Sequence, residues 1–580
     1  MSSDINLKKG ALQSAAYDTV LQICLRVVSF VLNAMVVRYI GPAVLAVCSV
    51  RLLLLYSTTL LLTREAFRRA ALAAKEHQVN YKLVNLIWAS LTTLLPVGCI
   101  LSYVWRDVMD PPPQEVLAEP SHYPACLVII LLSCAVELFA EVPFILAELQ
   151  LWTKTRVMIE GAMQVVRSIC IAGVVVVVPH YAVIGYSISH LIGSCVYCLS
   201  YYLVFMKAFR DKTLVKTLPF QTIRQLLPSR GPGEIYPRVE QETLKVTRGF
   251  LLQCWLKELL TEGEWFLMNL LPLVSLAQQG TYQVVSNLGA LGARLVLRSI
   301  EAAAYKFFAQ TLHREQPLEL QDKKKVREAA QFLELLLRHL SLISLVVLCF
   351  GYSYSHTLLQ LYGGNTLSSE GTPLMRAQCL LLVFLALNGV TEAYTFAAMN
   401  HKQLHWHSSL LVVFSVAYLA GAAALTHLLG VVGFVWANCF NMALRIAHGW
   451  WFIERQYRPT ELRPLRGLRL SASSVTACAA AFIITAISEA YVSSISVVLH
   501  VAVGGVTFVL VLYLLREELE DVYTSALSAC DRLLLRVGAP GFGVDRGEGA
   551  NYQGVHLSNC YLAKLHCVLY GKIRSDHKKR

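Results

Sequence analysis

The sequence predicts an all-α protein that crosses a membrane many times, with about 14 transmembrane helices. Of its 580 residues, 56% are hydrophobic and 15% are charged, and the mean hydropathy is +0.51. The apolar residues recur in runs of about 20, the length that a helix needs to cross a hydrocarbon core of ~30 Å. The formal net charge of +13 comes from basic residues placed in alternate loops, which is typical of membrane topology rather than of nucleic-acid binding.

The apolar runs place fourteen spans along the chain. These spans cover approximately residues 14–39, 43–63, 83–105, 124–147, 157–179, 183–206, 250–275, 280–311, 330–357, 374–399, 407–429, 431–453, 472–492 and 494–515. Loops that carry Lys and Arg alternate with loops that are acidic or uncharged, and Arg106 is the exception. Because cytoplasmic loops retain Lys and Arg, we expect both termini to be cytoplasmic and the number of spans to be even.

A long basic segment, 207–249, divides the predicted spans into six before it and eight after it. Residues of the first part match residues of the second at separations between 236 and 251 positions. The matched pairs are Glu141 with Glu392, Gly185 with Gly433, Glu65 with Glu301, and Gly41 with Gly280. We therefore predict two pseudo-symmetric six-helix lobes, an arrangement that in transporters places the binding site between the lobes.

The predicted organisation has five parts. They are an N-lobe at 1–206, a cytoplasmic linker at 207–249, a C-lobe at 250–453, two extra helices at 454–515 and a cytoplasmic tail at 516–580. The tail contains an interfacial helix, a glycine-rich linker and a basic end that we expect to rest on an anionic membrane face.

Charged residues inside the predicted spans are the candidates for function, because a charge there costs roughly 2.5–3.5 kcal/mol on insertion scales. Arginine suits phosphate, since its planar guanidinium offers a fork of donors to two oxygens. We expect a cationic cavity that binds an anionic substrate and is lined by Arg26, Arg51, Lys257, Arg294 and Arg298. We expect acids to pair with these cations when the cavity is empty: Glu65, Glu141, Glu262, Glu301 and Glu392.

The alternative is that these charges only lock helices together. Arg298 with Glu301, and Arg64 with Glu65 or with the residues around Arg68, are close enough in sequence to pair in this way. Under this interpretation the charged residues stabilise the helical bundle and bind no substrate.

No motif in the chain is typical of an enzyme. A phosphate-binding glycine loop followed by lysine, an HExxH helix and a nucleophile elbow are all missing from the sequence. The sixteen cysteines lie mostly in apolar runs without disulfide or metal spacing, and the histidines His401, His405 and His407 are expected to be solvated. We therefore expect no catalytic residue, no metal and no cofactor.

Six segments carry a resemblance to a known family. They are VRLLLLYSTTLLLTREAFRRA (50–70), LKELLTEGEWFLMNLL (256–271), VSNLGALGARLVLRSIEAAAYKFFA (285–309), LYGG (361–364), LNGVTEAYTFAAM (387–399) and GFVWANCFNMALRI (433–446). With these segments, residues 12–515 resemble the eukaryotic Rft family of the multidrug/oligosaccharidyl-lipid/polysaccharide exporter superfamily. The tail beyond about Arg516 is not covered by the likeness.

The resemblance implies a multi-pass endoplasmic reticulum protein needed for N-linked glycosylation. The implied substrate is a dolichol pyrophosphate that carries a five-mannose oligosaccharide. The implied activity is that of a flippase, which moves this lipid from the cytoplasmic to the lumenal leaflet. The resemblance also implies a two-lobed, alternating-access architecture in which the two extra helices form a groove for the lipid tail. We expect membrane lipid as a further partner, no nucleic acid, and a monomer.

Two other functions stay open at this point. A non-transporting accessory protein could organise glycosylation enzymes in the same membrane. A cation-coupled drug exporter of the same superfamily is a third possibility. Two observations argue against it: the chain has fourteen predicted spans rather than twelve, and the predicted cavity has a surplus of arginines.

Overall fold

The computed structural model describes residues 30–73, 80–109, 122–150, 152–210, 222–229, 241–270, 274–292, 297–314 and 316–516, together with Pro112, Phe220 and Val239. All regular secondary structure in these ranges is helical. The predicted tail from 517 onward, most of the predicted linker and the first 29 residues lie outside the described residues. All of the described helices belong to the unit Met1–Arg516.

The N-terminal helices, α1 to α7, correspond to the predicted first six spans. Their bounds are α1 Phe30–Tyr39, α2 Pro42–Leu72, α3 Tyr81–Val108, α4 His122–Phe139, α5 Glu141–Leu149, α6 Thr153–Val177 and α7 Ala182–Arg210. The fourth predicted span is divided into α4 and α5 at Ala140. Within α2 the segments Val47–Leu52 and Leu61–Glu65 are π-helical; the first carries Arg51 and the second carries Arg64 and Glu65. Single π turns inside α-helices are frequent at functional sites.

The C-terminal helices, α8 to α13, are followed by α14 and α15. Their bounds are α8 Gln241–Leu270, α9 Leu276–Gly292, α10 Arg298–Thr311, α11 Lys323–Ala398, α12 His401–Leu429, α13 Val432–Tyr457, α14 Ala472–Ile487 and α15 Val497–Leu514. The last two correspond to the predicted extra helices, 472–492 and 494–515.

Helix α11 contains two antiparallel spans rather than one. Gly364 has φ +79° and ψ −167°, a backbone conformation that residues with a Cβ rarely adopt. On either side of it the chain packs against itself: Gly351 lies against Cys379, and Gly371 lies against Leu359. The two predicted spans 330–357 and 374–399 are therefore the two arms of α11, joined at this glycine.

Local sequence signals set several helix boundaries. Pro42 begins α2, where its missing N–H group costs nothing. The Asn80 side chain caps α3 by accepting hydrogen bonds from the backbone N–H groups of Lys82 and Leu83. Asn400 and Gln403 form a reciprocal capping box at the start of α12, so the chain leaves α11 and re-enters a helix within two residues.

Nine helices among the described residues are long and apolar enough to cross a membrane. One of these is α11, which holds two of the predicted spans. The protein is thus a helical, multi-pass membrane protein, as the composition predicts. The number fourteen remains a prediction, since the first span lies largely outside the described residues and α8, α9 and α13 are not among the nine.

Helices α14 and α15 pack on the first arm of α11. The hydroxyls of Ser353 and Thr485 lie 3.0 Å apart, and the ring of Tyr354 stacks on that of His500 with centroids 4.2 Å apart. The opposite face of α15 is apolar and exposed, with Val498, Val506 and Val509 each at least 65% exposed. In a bilayer such a face contacts lipid.

Candidate functional site

A cavity of about 730 Å³ lies between the N-terminal and the C-terminal helices. Helices α1, α2, α6 and α7 form one side, and α9 with Tyr362 of α11 forms the other. Small-molecule sites have volumes of about 300–1,000 Å³, so the cavity is large enough for a ligand. Its polar lining residues are Asn33, Ser49, Glu160, Gln164, Arg167, Ser168, Tyr186, His190, Gln283, Asn287 and Tyr362.

Arg167 is the cation of this cavity within the described part of the chain. It is 6% exposed, and its Nη2 donates to Glu137 Oε1 at 2.6 Å, to the Tyr56 hydroxyl at 2.6 Å and to Ser194 Oγ at 3.1 Å. Its guanidinium also lies 4.8 Å from the centroid of the Tyr56 ring. The charge is thereby held in place by helices α2, α4 and α7.

A glycine of α7 makes this arrangement possible. The side chain of Arg167 crosses α7 at Gly193, where a Cβ atom would overlap its Cγ and Nε atoms. Any larger residue at position 193 would displace the guanidinium from Glu137. Here the glycine is needed for close approach rather than for an unusual backbone conformation.

Glu137 lies at the centre of a buried charge network. It is 2% exposed, and besides Arg167 it accepts hydrogen bonds from Tyr56, from Ser194 at 3.0 Å and from Arg64 at 3.2 Å. Buried carboxylates are stable only when paired and hydrogen-bonded, and this one has both kinds of contact.

The network extends along α2 to a second carboxylate, Glu141. Arg68 contacts it through two hydrogen bonds, of 2.5 and 2.7 Å, and its guanidinium stacks 3.7 Å from the centroid of the Phe144 ring. Arg64 lies 3.7 Å from the same carboxylate and so bridges Glu137 and Glu141. The charges of α2 therefore fix that helix to α4 and α5.

The predicted cavity cations have different positions in the structure. Arg51 is 3% exposed and is not among the residues that line the cavity; its carbonyl oxygen accepts a hydrogen bond from Trp105 Nε1 at 2.9 Å. Arg298 is exposed at the start of α10. Arg26, Arg294 and the side chain of Lys257 lie outside the described residues.

Two of the predicted acids, Glu65 and Glu262, lie on α2 and α8. Glu65 pairs with Arg69 one turn further along, at 2.8 Å, whereas Arg64 pairs with Glu137 and Glu141 and not with Glu65. Glu262 is half-buried in α8.

A second charge cluster lies among α10, α11 and α13. Glu392 lies 3.5 Å from Arg445, and the carboxylate of Glu301 packs against Gly389. Glu141 and Glu392, which the sequence comparison matched, thus both pair with arginines of a neighbouring helix. The predicted pairing of Glu301 with Arg298 is not among the ion pairs of the described residues.

Arg167 and its partner Glu137 were not predicted as site residues. The signal was present, because Arg167 lies at the middle of the apolar run 157–179. A charge at mid-span is the most costly position in a membrane, so ranking every span by its central charges would have identified this residue.

Comparison with known proteins places these features in context. The family model described as Rft protein matches residues 10–525. A mouse protein named Man(5)GlcNAc(2)-PP-dolichol translocation protein RFT1 is 36% identical over 484 residues, which cover 83% of this chain and 88% of the relative. Proteins of the same name from Xenopus tropicalis and Drosophila melanogaster are each 33% identical, covering 87% and 80% of this chain and 93% and 88% of their own lengths.

Two solved structures share the fold at low sequence identity. The lipid II flippase MurJ in an inward closed conformation superposes with a TM-score of 0.60 at 10% identity, covering 87% of this chain and all of MurJ. An inward-facing multidrug resistance transporter of the MATE family gives a TM-score of 0.52 at 15% identity, covering 76% of this chain and 99% of its own. The helices therefore have a transporter fold.

Proposed function

This chain belongs to the Rft protein family, and from that premise we propose that it moves Man(5)GlcNAc(2)-PP-dolichol between the leaflets of the endoplasmic reticulum membrane for protein N-glycosylation. The protein acts on the lipid as a translocator and not as an enzyme. Its basic loops and both termini face the cytoplasm, and it works as a monomer.

The observation that carries this proposal is the cavity between the N-terminal and C-terminal helices, with the buried guanidinium of Arg167 at its wall. A charged and hydroxylated headgroup cannot cross hydrocarbon unaided, because removing its hydration without new partners costs far too much free energy. The cavity offers replacement hydrogen-bond partners for the hydroxyl groups of the headgroup. A transporter fold supplies the two sets of helices whose relative movement would expose the cavity to each side in turn.

The lipid tail stays outside the cavity under this proposal. The tail packs against the exposed apolar face of α14 and α15, whose side chains are hydrophobic. The predicted cations Arg26, Arg51, Lys257, Arg294 and Arg298 remain the proposed contacts of the pyrophosphate. Three of the predicted acids have other arginines as partners in the structure: Glu65 pairs with Arg69, Glu141 with Arg68, and Glu392 with Arg445.

The test is the size profile of lipid-linked oligosaccharides in cells depleted of this protein. We expect the five-mannose intermediate to accumulate, and to disappear when the wild-type chain is expressed. Arg167→Ala should not restore the profile. The matched control is Arg338→Ala, since Arg338 is 44% exposed and pairs only weakly, at 3.6 Å, with Glu334. An unchanged profile in depleted cells would overturn the proposal.

A further inference from the structure

The charges that line the cavity cancel. Arg167 is matched by the buried carboxylate of Glu137 at 2.6 Å, and Glu160 is matched by Arg156 at 2.9 Å. Glu160 and Arg167 are the charged residues of the lining in the described ranges. A pyrophosphate carries several negative charges and would need a surplus of cations, which the described part of the lining does not provide.

Most of the polar lining is uncharged, with four side-chain amides and four hydroxyl groups among the described residues. Gln164 lies on α6 one turn before Arg167, and Gln283 and Asn287 lie one turn apart on α9, across the cavity. Residues spaced by three or four positions share a helix face, so two polar strips face each other from the two halves of the protein. Each carboxamide offers both donors and acceptors, as the hydroxyl groups of a sugar do.

Two aromatic residues of α7 also line the cavity. The rings of Tyr186 and His190 lie 4.6 Å apart, and both residues line the cavity. His190 is 4% exposed, and its Nδ1 has no hydrogen-bond partner among the described residues. The two rings therefore give this part of the cavity wall an aromatic surface, against which the apolar face of a sugar ring can pack.

We propose that this cavity is a subsite for neutral sugar residues, the hexoses of the lipid-linked oligosaccharide, and that the pyrophosphate binds elsewhere on the protein. This inference rests on the proposed function. Uncharged polyhydroxylated ligands match a lining of amides, hydroxyls and aromatic rings with balanced charge. Gln164 of α6 and Gln283 of α9 bind the sugar from opposite sides, and the Gln283 amide, which donates to the Ser49 carbonyl oxygen of α2 at 3.5 Å, is held at the cavity wall by that contact.

The experiment measures binding of the free five-mannose oligosaccharide, without phosphate or lipid, to the purified full-length protein. Saturation-transfer NMR suits a weak ligand, and the detergent must lack a sugar headgroup. We expect saturation of the mannose protons with wild type, and binding about 2- to 10-fold weaker for Gln164→Leu and for Gln283→Leu, since each removes an amide that hydrogen-bonds the sugar. Gln310→Leu is the matched control, because Gln310 is exposed at the end of α10.

Inorganic pyrophosphate added at the same concentration should leave the oligosaccharide signal unchanged. Equal thermal midpoints of the variants and wild type establish that they are folded. Absence of mannose saturation, equal signals from all variants, or displacement by pyrophosphate would each overturn the subsite. If the oligosaccharide binds as expected but the lipid-linked oligosaccharides of depleted cells are normal, the proposed function is refuted and the subsite is not. If the five-mannose intermediate accumulates in depleted cells but the purified protein does not bind the oligosaccharide, only the subsite is refuted.

Discussion

Replacing Glu137 by glutamine tests the buried network directly. The substitution Glu137→Gln keeps the size of the side chain and one acceptor oxygen but removes the charge. Arg167 is 6% exposed and lies 2.6 Å from this carboxylate, so the substitution leaves it without its acidic partner. Arg64 loses the same partner but still lies 3.7 Å from Glu141. The cost should therefore be that of a buried ion pair with one partner deleted.

The expected magnitude follows from burial. Removing one partner of a buried pair destabilises a protein by about 3–5 kcal/mol, because the remaining charge stays in a medium of low dielectric constant. Removing one partner of an exposed pair costs about 0–1 kcal/mol. Glu148→Gln is the control, since Glu148 pairs with Arg156 at 2.9 Å with side chains 26% and 38% exposed. The two variants should differ by at least about 2 kcal/mol.

Denaturant-induced unfolding of the purified protein in mixed micelles measures this difference. A double-mutant cycle with Arg167→Gln isolates the pair, and the double variant should be more stable than the sum of the single effects predicts. The reasoning fails if Glu137→Gln unfolds at the same denaturant concentration as Glu148→Gln, or if the two single effects simply add.

Further predictions concern glycines at close helix contacts. Gly280→Ala on α9 should destabilise the protein by about 1–3 kcal/mol, because its Cβ atom would collide with the backbone carbonyl of Pro42 on α2, and unfolding in the same micelles measures this. Gly193→Ala should displace Arg167 and reproduce the lipid-linked oligosaccharide profile of Arg167→Ala. Gly173→Ala on α6, where a Cβ would meet nothing within 4 Å, should leave both readouts intact, and equal behaviour of the Gly193 and Gly173 variants would contradict the assigned role of Gly193.

Periodicity and length made the helices predictable. Apolar runs of about 20 residues identify spans whatever their neighbours are, because every span must satisfy its own backbone hydrogen bonds in lipid. The gap 358–373 between two predicted spans contains Gly364, at which α11 reverses. The family, too, was recognisable from segments such as 285–309.

The partners of the charged residues were not predictable from spacing. Sequence spacing indicates contacts within one helix, such as that of Glu65 with Arg69. Glu137 and Arg167 lie 30 residues apart on different helices, and their contact depends on how α6 crosses α7 at Gly193. Only the tertiary packing decides which helices become neighbours.

The position of Arg51 has a local cause as well. It lies in the π-helical segment Val47–Leu52, where hydrogen bonds join residues five rather than four positions apart, so that an extra residue is inserted into the helix. Each added residue rotates the following side chains by about 100°, so a face assigned from regular spacing does not persist through such a segment. Arg51 accordingly lies beside Trp105 rather than on the cavity wall.

Reconstitution tests the central claim most directly. The purified protein is placed in vesicles that contain a labelled five-mannose dolichol pyrophosphate, and a mannose-binding lectin added outside captures the fraction exposed on the outer leaflet. We predict that the lectin captures about half of the label in protein-free vesicles and nearly all of it in vesicles with the wild-type protein, with Arg167→Ala resembling protein-free vesicles. Equal capture in all three would contradict translocation by this protein and would favour an accessory role in the same membrane.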